Sequence, residues 1–229
     1  MTDRMTRRGA LGMLGAAGIG AVLSACSDGD DGRSSAAETT TTSAPPATGA
    51  FDDAAVCTVS PELTEGPFYF DVERVRSDIR EDRDGVPLRL GVRVRDAAAC
   101  APIADAVVDV WHCDAQGEYS AQPQTFLRGA QVTGANGVAE FQTIYPGWYP
   151  GRTIHVHAKV HLDNATVLTT QLFFDDVVSD TVLARTPYSD ATGRDRNDGD
   201  AIFDAALVMT LGPEGDGYVG RITLDVAQA

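Results

Sequence analysis

Lysine, histidine and long apolar segments are scarce in this sequence of 229 residues. Lys159 is the single lysine, and 18 basic side chains stand against 33 acidic ones. The formal net charge of −15 disfavours binding to nucleic acid or to an anionic membrane surface, since both require local positive charge. Histidines number only four, so two of them close together are informative. Hydrophobic residues make up 43% of the chain, which is enough for a globular core.

Residues 1–26 have the pattern of an export signal. Arg7 and Arg8 precede a weakly apolar, glycine-containing run over residues 10–23, which is short for a membrane-spanning helix. Paired arginines are typical of the twin-arginine route, and the segment Leu23–Cys26 is similar to a bacterial lipoprotein box. We therefore expect a lipid anchor at Cys26 that holds an exported protein on the cell membrane, facing outside the cytoplasm. An ordinary signal peptide, which gives a secreted protein, is the alternative.

Two further segments differ sharply in composition. Residues 27–50 are rich in Ser, Thr, Asp, Gly, Ala and Pro. This composition buries little apolar surface and predicts a disordered tether. Residues 51–229 contain regular apolar patterns, and we interpret them as one domain.

Three cysteines, Cys57, Cys100 and Cys113, fall within the predicted domain. An exported protein meets an oxidising compartment, in which disulfides form and persist. Because three is an odd number, at least one of these cysteines is unpaired or pairs elsewhere. We expect a Cys57–Cys100 bridge that fixes the start of the domain, while the spacing also permits Cys100–Cys113.

Alternation of apolar and polar residues with a period of two dominates the domain. Over Thr153–Leu162 every second residue is apolar, and the residues between them include three histidines. Further segments with strand patterns are Leu88–Val94, Ala106–Trp111, Val138–Thr143, Val167–Phe174, Leu207–Leu211 and Val219–Val226. No segment shows a long helical period, and we interpret Asp175-Asp176 as a solvated turn. The predicted fold class is all-β: a β-sandwich with long functional loops.

A pair of histidines, His155 and His157, is the first candidate for chemistry. Residues i and i+2 of a strand share a face and lie roughly 6–7 Å apart at Cα, so both imidazoles can bind one metal ion. By itself such a pair is more often part of a solvated strand face. Here a loop with two Pro-Gly steps precedes it and carries Tyr149 and Arg152. A zinc or copper site would need a carboxylate or a third histidine, for which His112 is the best candidate.

These segments resemble the intradiol ring-cleavage dioxygenases, a family of non-haem iron(III) enzymes. The similarity covers roughly residues 57–210 and is most specific at Pro146–His157. It also includes Thr-Glu-Gly-Pro-Phe-Tyr at Thr64–Tyr69, the segment Trp111–Ser120, and Gln-Leu-Phe-Phe at Gln171–Phe174. The sequence resembles an exported, lipoprotein-like branch more than the cytoplasmic enzymes. Because the predicted signal and tether occupy its start, we expect it to lack the N-terminal helical segment that builds the catechol dioxygenase dimer, so a smaller monomer and a homo-oligomer are the two alternatives.

The resemblance implies a complete set of site residues. Tyr119, Tyr149, His155 and His157 are the expected ligands of one Fe(III) per chain. Arg152 and Gln171 are expected to face the substrate, and Tyr149 is the ligand expected to leave the metal when substrate binds. The implied reaction uses O2 to cleave a small aromatic diol between its two hydroxyl-bearing carbons and gives a muconate-type diacid.

The expected ligand set also suits Fe(III) on chemical grounds, independently of the resemblance. Fe(III) is a hard, highly charged ion, and two tyrosinates with a hydroxide would neutralise it while two neutral imidazoles complete the site. Arg152 would stabilise negative charge that develops on the substrate. The competing hypothesis is a non-catalytic β-sandwich binding module of the cell envelope, for which a degraded ligand set is expected.

Overall fold

The computed structural model describes residue 51, residues 57–188 and residues 192–227. The predicted export signal (1–26), its Cys26 and the predicted tether (27–50) lie outside the described residues. Among the helices that the structure describes, none is both long and apolar enough to span a bilayer.

Two four-stranded sheets enclose the hydrophobic core. The elements are β1 (Pro87–Asp96), β2 (Val107–Trp111), β3 (Arg128–Val132), β4 (Val138–Ile144), β5 (His155–Leu162), β6 (Ala165–Phe173), α1 (Asp176–Leu183), two 3₁₀ turns (Asn197–Gly199 and Ala205–Leu207), β7 (Thr210–Glu214) and β8 (Gly217–Val226). Sheet A has the order β3-β2-β5-β6 and is antiparallel throughout. Sheet B has the order β4-β1-β8-β7, with a parallel pair at β1 and β8. The predicted all-β sandwich is confirmed.

Two local predictions need correction, and one strand was not predicted. The segment Asp175-Asp176 is not a solvated turn but the start of α1, where the Asp175 side chain accepts hydrogen bonds from the first amides of the helix. The strand predicted over Leu207–Leu211 begins at Thr210, because Leu207 ends a 3₁₀ turn capped by Asp204. Strand β3 has no alternating pattern and forms through its pairing with β2.

The alternation in β5 separates two environments. Its apolar side chains, including Val156 and Val160, belong to the core between the sheets. His155 and His157 project to the opposite face, yet they are also buried. A second layer of chain must therefore cover the outer face of sheet A.

That layer is the segment of residues 57–78, which we call the strap. It begins at the Cys57–Cys100 disulfide, which confirms the expected pairing, while Cys113 is free and buried. The Leu63 amide donates to Thr169 O at 2.8 Å on edge strand β6, and the Arg76 amide donates to Ala130 O at 3.0 Å on edge strand β3. Since the strap contacts both edges of sheet A, the residues between these points cross its outer face.

Candidate metal centre

Two glycines allow the two tyrosine-bearing loops to pack against each other. Gly117 has a φ of +83°, and a Cβ there would collide with the Trp148 carbonyl oxygen. A Cβ at Gly147 would meet the backbone of Ala115 in the same way. This close backbone packing brings the loop after β2 and the loop before β5 together, and with them Tyr119 and Tyr149.

The four predicted ligands converge at the start of β5. The Nε2 atom of His155 lies 3.1 Å from Nε2 of His157, 3.1 Å from the Tyr149 hydroxyl and 3.4 Å from the Tyr119 hydroxyl. Two phenol oxygens and two imidazole nitrogens are thus directed at one small volume. Residues up to 38 positions apart in sequence meet there because β5 carries both histidines and the packed loops supply both tyrosines.

Both histidines are held in the form that a metal ligand requires. Burial, reinforced by the nearby Arg152 charge, lowers the pKa of His155 to about 4. Burial, reinforced by His155, lowers the pKa of His157 to about 2. Neutral His155 donates its Nδ1 hydrogen to the carbonyl oxygen of Thr153 at 2.7 Å, so its Nε2 carries the lone pair.

Packing rather than hydrogen bonding orients His157. The Trp111 ring stacks on it with a centroid distance of 4.9 Å and an interplanar angle of 7°. Gly66 of the strap has a φ of +71°, and a Cβ there would lie 3.1 Å from His157 Cε1. Within the part of the chain that the structure describes, no group bonds to the buried Nδ1 of His157.

The tyrosines are neutral phenols unless a cation is present. Burial raises the pKa of Tyr119 well above its ordinary value and also raises the pKa of Tyr149. Phe68 of the strap stacks on Tyr119 with a centroid distance of 4.4 Å, and its own side chain stays 41% exposed. Two hard phenolate oxygens with two neutral imidazoles are a donor set that fits Fe(III), because the cation would hold the phenols ionised in this buried place.

The zinc alternative finds no support in the geometry. No cluster of three or more His, Cys, Asp or Glu side chains suited to a metal ion occurs among the described residues. Both ring nitrogens of His112 are engaged, one with Cys113 O and one with Thr143 Oγ1, each at 2.7 Å. His112 is therefore a structural histidine.

Arg152 and Gln171 lie beside this centre and bond to each other. The Arg152 Nη2 donates to the Gln171 side-chain oxygen, and the Gln171 amide nitrogen donates to Thr64 O of the strap at 2.8 Å. Gln171 is fully buried and pairs across the sheet with His157. Because its amide oxygen binds Arg152 and its amide nitrogen binds the strap, Gln171 can orient Arg152.

Several residues that shape the centre had no predicted role. Three of them, Gly66, Phe68 and Trp111, lie within the segments that resemble the family, but the resemblance did not indicate what they do. Asp200 accepts a hydrogen bond from Arg152 Nε at 2.9 Å, and it lies in a loop where no sequence pattern singled it out.

Comparisons with known proteins show which family this chain is similar to. Residues 60–198 match the family model described as "Dioxygenase". Catechol 1,2-dioxygenase 1 of Acinetobacter lwoffii is 35% identical over 141 residues, which are 49% of this chain and 45% of that protein. A chlorocatechol 1,2-dioxygenase of Rhodococcus opacus is 33% identical over 42% of this chain and 47% of its own length. The chain thus spans about half the length of the curated relatives it matches.

Solved structures extend the similarity over most of the described domain. An intradiol ring-cleavage dioxygenase from Tetranychus urticae superposes with a TM-score of 0.71 at 32% identity, covering 75% of this chain and 95% of that one. The dioxygenase domain of a dioxygenase and carbohydrate-binding fusion from Streptomyces sp. SirexAA-E gives a TM-score of 0.62 at 34% identity, covering 75% and 100%.

Proposed function

Because the chain belongs to the intradiol ring-cleavage dioxygenase family, we propose that it is an enzyme that opens catechol-type rings. It uses O2 to cleave the bond between the two hydroxyl-bearing carbons and produces a muconate-type diacid. The observation that supports this proposal is the convergence of two tyrosine oxygens on the nitrogens of His155 and His157. When bound there, Fe(III) supplies Lewis acidity and a one-electron couple for the reaction of the diol with O2.

Tyr149 is the side chain that we assign to proton transfer. Both tyrosines lie in loops, but Phe68 stacks on Tyr119 at a centroid distance of 4.4 Å, whereas it meets Tyr149 only edge-on at 6.4 Å. The Tyr149 oxygen, once ionised, accepts a proton from one substrate hydroxyl. His155 and His157 stay neutral because burial holds their pKa values far below neutrality, so they do not compete for that proton.

Arg152 supplies fixed positive charge beside the ligands. Its Nε and Nη2 atoms are taken by Asp200 and Gln171. None of the described residues accepts a hydrogen bond from its Nη1, which leaves that donor for negative charge developing on the substrate. Its preorganisation means that no side chain has to move when this charge appears.

The proposed cellular setting is outside the cytoplasm. The paired arginines and the lipobox-like Leu23–Cys26 support export and lipid anchoring at Cys26, with residues 27–50 as the tether. The Cys57–Cys100 disulfide suits an oxidising compartment. A Cys26→Ser variant should leave the membrane fraction, and its retention there would contradict the anchor.

The activity is tested with the iron-loaded full-length protein. Catechol, protocatechuate and hydroxyquinol serve as substrates, and resorcinol, whose hydroxyls cannot chelate, serves as the control. We expect one O2 consumed per ring and a diacid that contains both atoms of labelled O2. Diol binding without O2 uptake would support the binding-module hypothesis instead, and a semialdehyde product would contradict intradiol cleavage.

A further inference from the structure

We propose that Asp200 is a positioning residue that sets Arg152 and His155 in the metal centre together. This inference rests on the proposed function, because it concerns how that site is held. Asp200 lies 45 residues after His155 in sequence, beyond all of the segments that carry the ligands.

The Asp200 carboxylate is buried and fully engaged. Its side chain is 1% exposed. One oxygen accepts hydrogen bonds from Arg152 Nε and from the Thr153 amide, both at 2.9 Å. The other oxygen accepts from the Ile202 amide at 2.8 Å. Three donors fix the carboxylate in position, so it can act as a rigid reference for the residues that it contacts.

One path leads from Asp200 to His155 through a single residue. The Thr153 amide is bound by Asp200, and the Thr153 carbonyl oxygen accepts the Nδ1 hydrogen of His155 at 2.7 Å. Both backbone polar groups of Thr153 are thereby fixed. The ring orientation and the tautomer of His155 therefore depend on where Asp200 holds Thr153.

The other path leads directly to Arg152. Asp200 binds Nε at one edge of the guanidinium group, and Gln171 binds Nη2 at another. Two contacts at different edges fix the plane of the group, which a single contact would not. The carboxylate also offsets part of the positive charge, so what Asp200 contributes to catalysis is orientation rather than field strength.

The loop that carries Asp200 is itself anchored. Asp195 accepts a hydrogen bond from the Gly151 amide at 2.6 Å, and Asn197 accepts one from the Thr153 hydroxyl at 2.7 Å. Arg194 is buried and forms ion pairs at 2.8 Å with Asp176 and Asp180 of α1. These contacts let the loop keep its place when Asp200 alone is changed.

The test is Asp200→Asn in the full-length protein, with Asp198→Asn as the matched control. Asp198 lies on the same loop, is exposed, and makes no hydrogen bond or ion pair to the described residues. We expect Asp200→Asn to lower kcat about tenfold or more while KM and iron content change less than about threefold, as for loss of orientation. In an Arg152→Ala background the same change should lower kcat by a smaller factor, because only the path through Thr153 to His155 is left for it to disturb.

A readout on metal-free protein separates this inference from the proposed function. We expect Asp200→Asn to speed solvent exchange of the His155 Nδ1 hydrogen and the Thr153 amide in NMR spectra, while Asp198→Asn leaves both unchanged. That result would support Asp200 as a positioning residue even if the wild-type protein cleaved no diol. If Asp200→Asn fails to fold, Asp200→Glu, which keeps the charge but displaces it, should lower kcat in a folded protein.

Three results would overturn the inference. An unchanged kcat in Asp200→Asn would remove the role. An equal loss of kcat with and without Arg152 would show that Asp200 acts independently of the arginine. A rise in kcat would mean that the carboxylate damps the Arg152 charge rather than orienting it.

Discussion

The outer faces of the two sheets have the same pleated geometry and opposite environments. On sheet A, the polar side chains His155, His157 and Lys159 are buried beneath the strap. On sheet B, Arg89 forms ion pairs with Glu140 and Glu214 that stay partly exposed. A covering layer of chain, rather than the strand pattern, turns one of these faces into a site.

The pKa shifts also differ between the face covered by the strap and the open face of sheet B. Beneath the strap, burial and the Asp71 charge raise the pKa of Asp109 to about 7 even though Tyr69 bonds to it, and Lys159 pairs with Glu65 of the strap. On sheet B, the hydrogen bond from Arg89 lowers the pKa of Glu214. Burial therefore dominates on one face and pairing in water on the other, and only the first can hold neutral histidines beside phenols.

The largest expected difference between the faces is in metal retention. His157→Ala removes one of the four proposed ligands from the covered face, and we expect iron content to fall below about a tenth of the wild-type value. Arg89→Ala on sheet B should leave iron content unchanged. Metal analysis after dialysis measures both, and one iron per chain in His157→Ala would exclude His157 as a ligand.

Acid should destabilise the metal-free protein first through its buried histidines. The pKa values of buried His112, His155 and His157 are lowered to about 4, 4 and 2. Below about pH 6.5 these histidines are therefore protonated in the unfolded chain while they stay neutral in the folded chain. Asp109, whose pKa is raised to about 7, offsets one of these protons. The free energy of unfolding should fall by about 3 kcal/mol per pH unit between roughly pH 6 and pH 4.5.

Sheet B should respond only in stronger acid. The pKa of Glu214 is lowered, so its contribution is complete above about pH 4.5 and is lost as the pH falls through the lower folded value. Urea unfolding of metal-free protein between pH 7.5 and pH 3.5 resolves the two windows. Constant stability from pH 6.5 to pH 4.5 would mean that the histidines are not buried as neutral groups.

Gly66→Ala tests the cover itself. Its φ of +71° costs an alanine about 1–2 kcal/mol, and the new Cβ would press on His157 Cε1 at 3.1 Å. Since Trp111 stacks on the His157 ring, the ring has little room to retreat without moving its Nε2, the proposed ligand atom. We expect lower thermal stability and weaker iron affinity. The control is Gly193→Ala, where φ is +86° but a Cβ meets nothing within 4 Å, so it should lose stability without losing iron affinity.

The smallest expected effect belongs to sheet B. Arg89→Ala removes two partly exposed ion pairs, and such pairs contribute about 0–1 kcal/mol each. Stability should fall slightly at low salt and hardly at all at high salt, with catalytic activity unchanged. A loss of activity in Arg89→Ala would contradict the functional contrast between the faces.

From the sequence, only those features of the two faces can be predicted that depend on residues close together along the chain. Period-two alternation predicted the sandwich and put His155 and His157 on one face, and the resemblance picked out Tyr119 and Tyr149. The strap was visible only as a motif, because the burial of a strand face depends on where a distant segment lies. Asp200 gave no signal, since a lone aspartate in a polar loop looks like any solvated one.

The central claim is that the covered face of sheet A binds iron through Tyr119 and Tyr149. Visible absorption of the iron-loaded full-length protein, with and without anaerobic catechol, tests it most directly, because tyrosinate on Fe(III) gives an intense charge-transfer band. We predict a coloured protein with one iron per chain, whose band shifts to longer wavelength with catechol. A protein that holds one iron per chain and is colourless would contradict the claim.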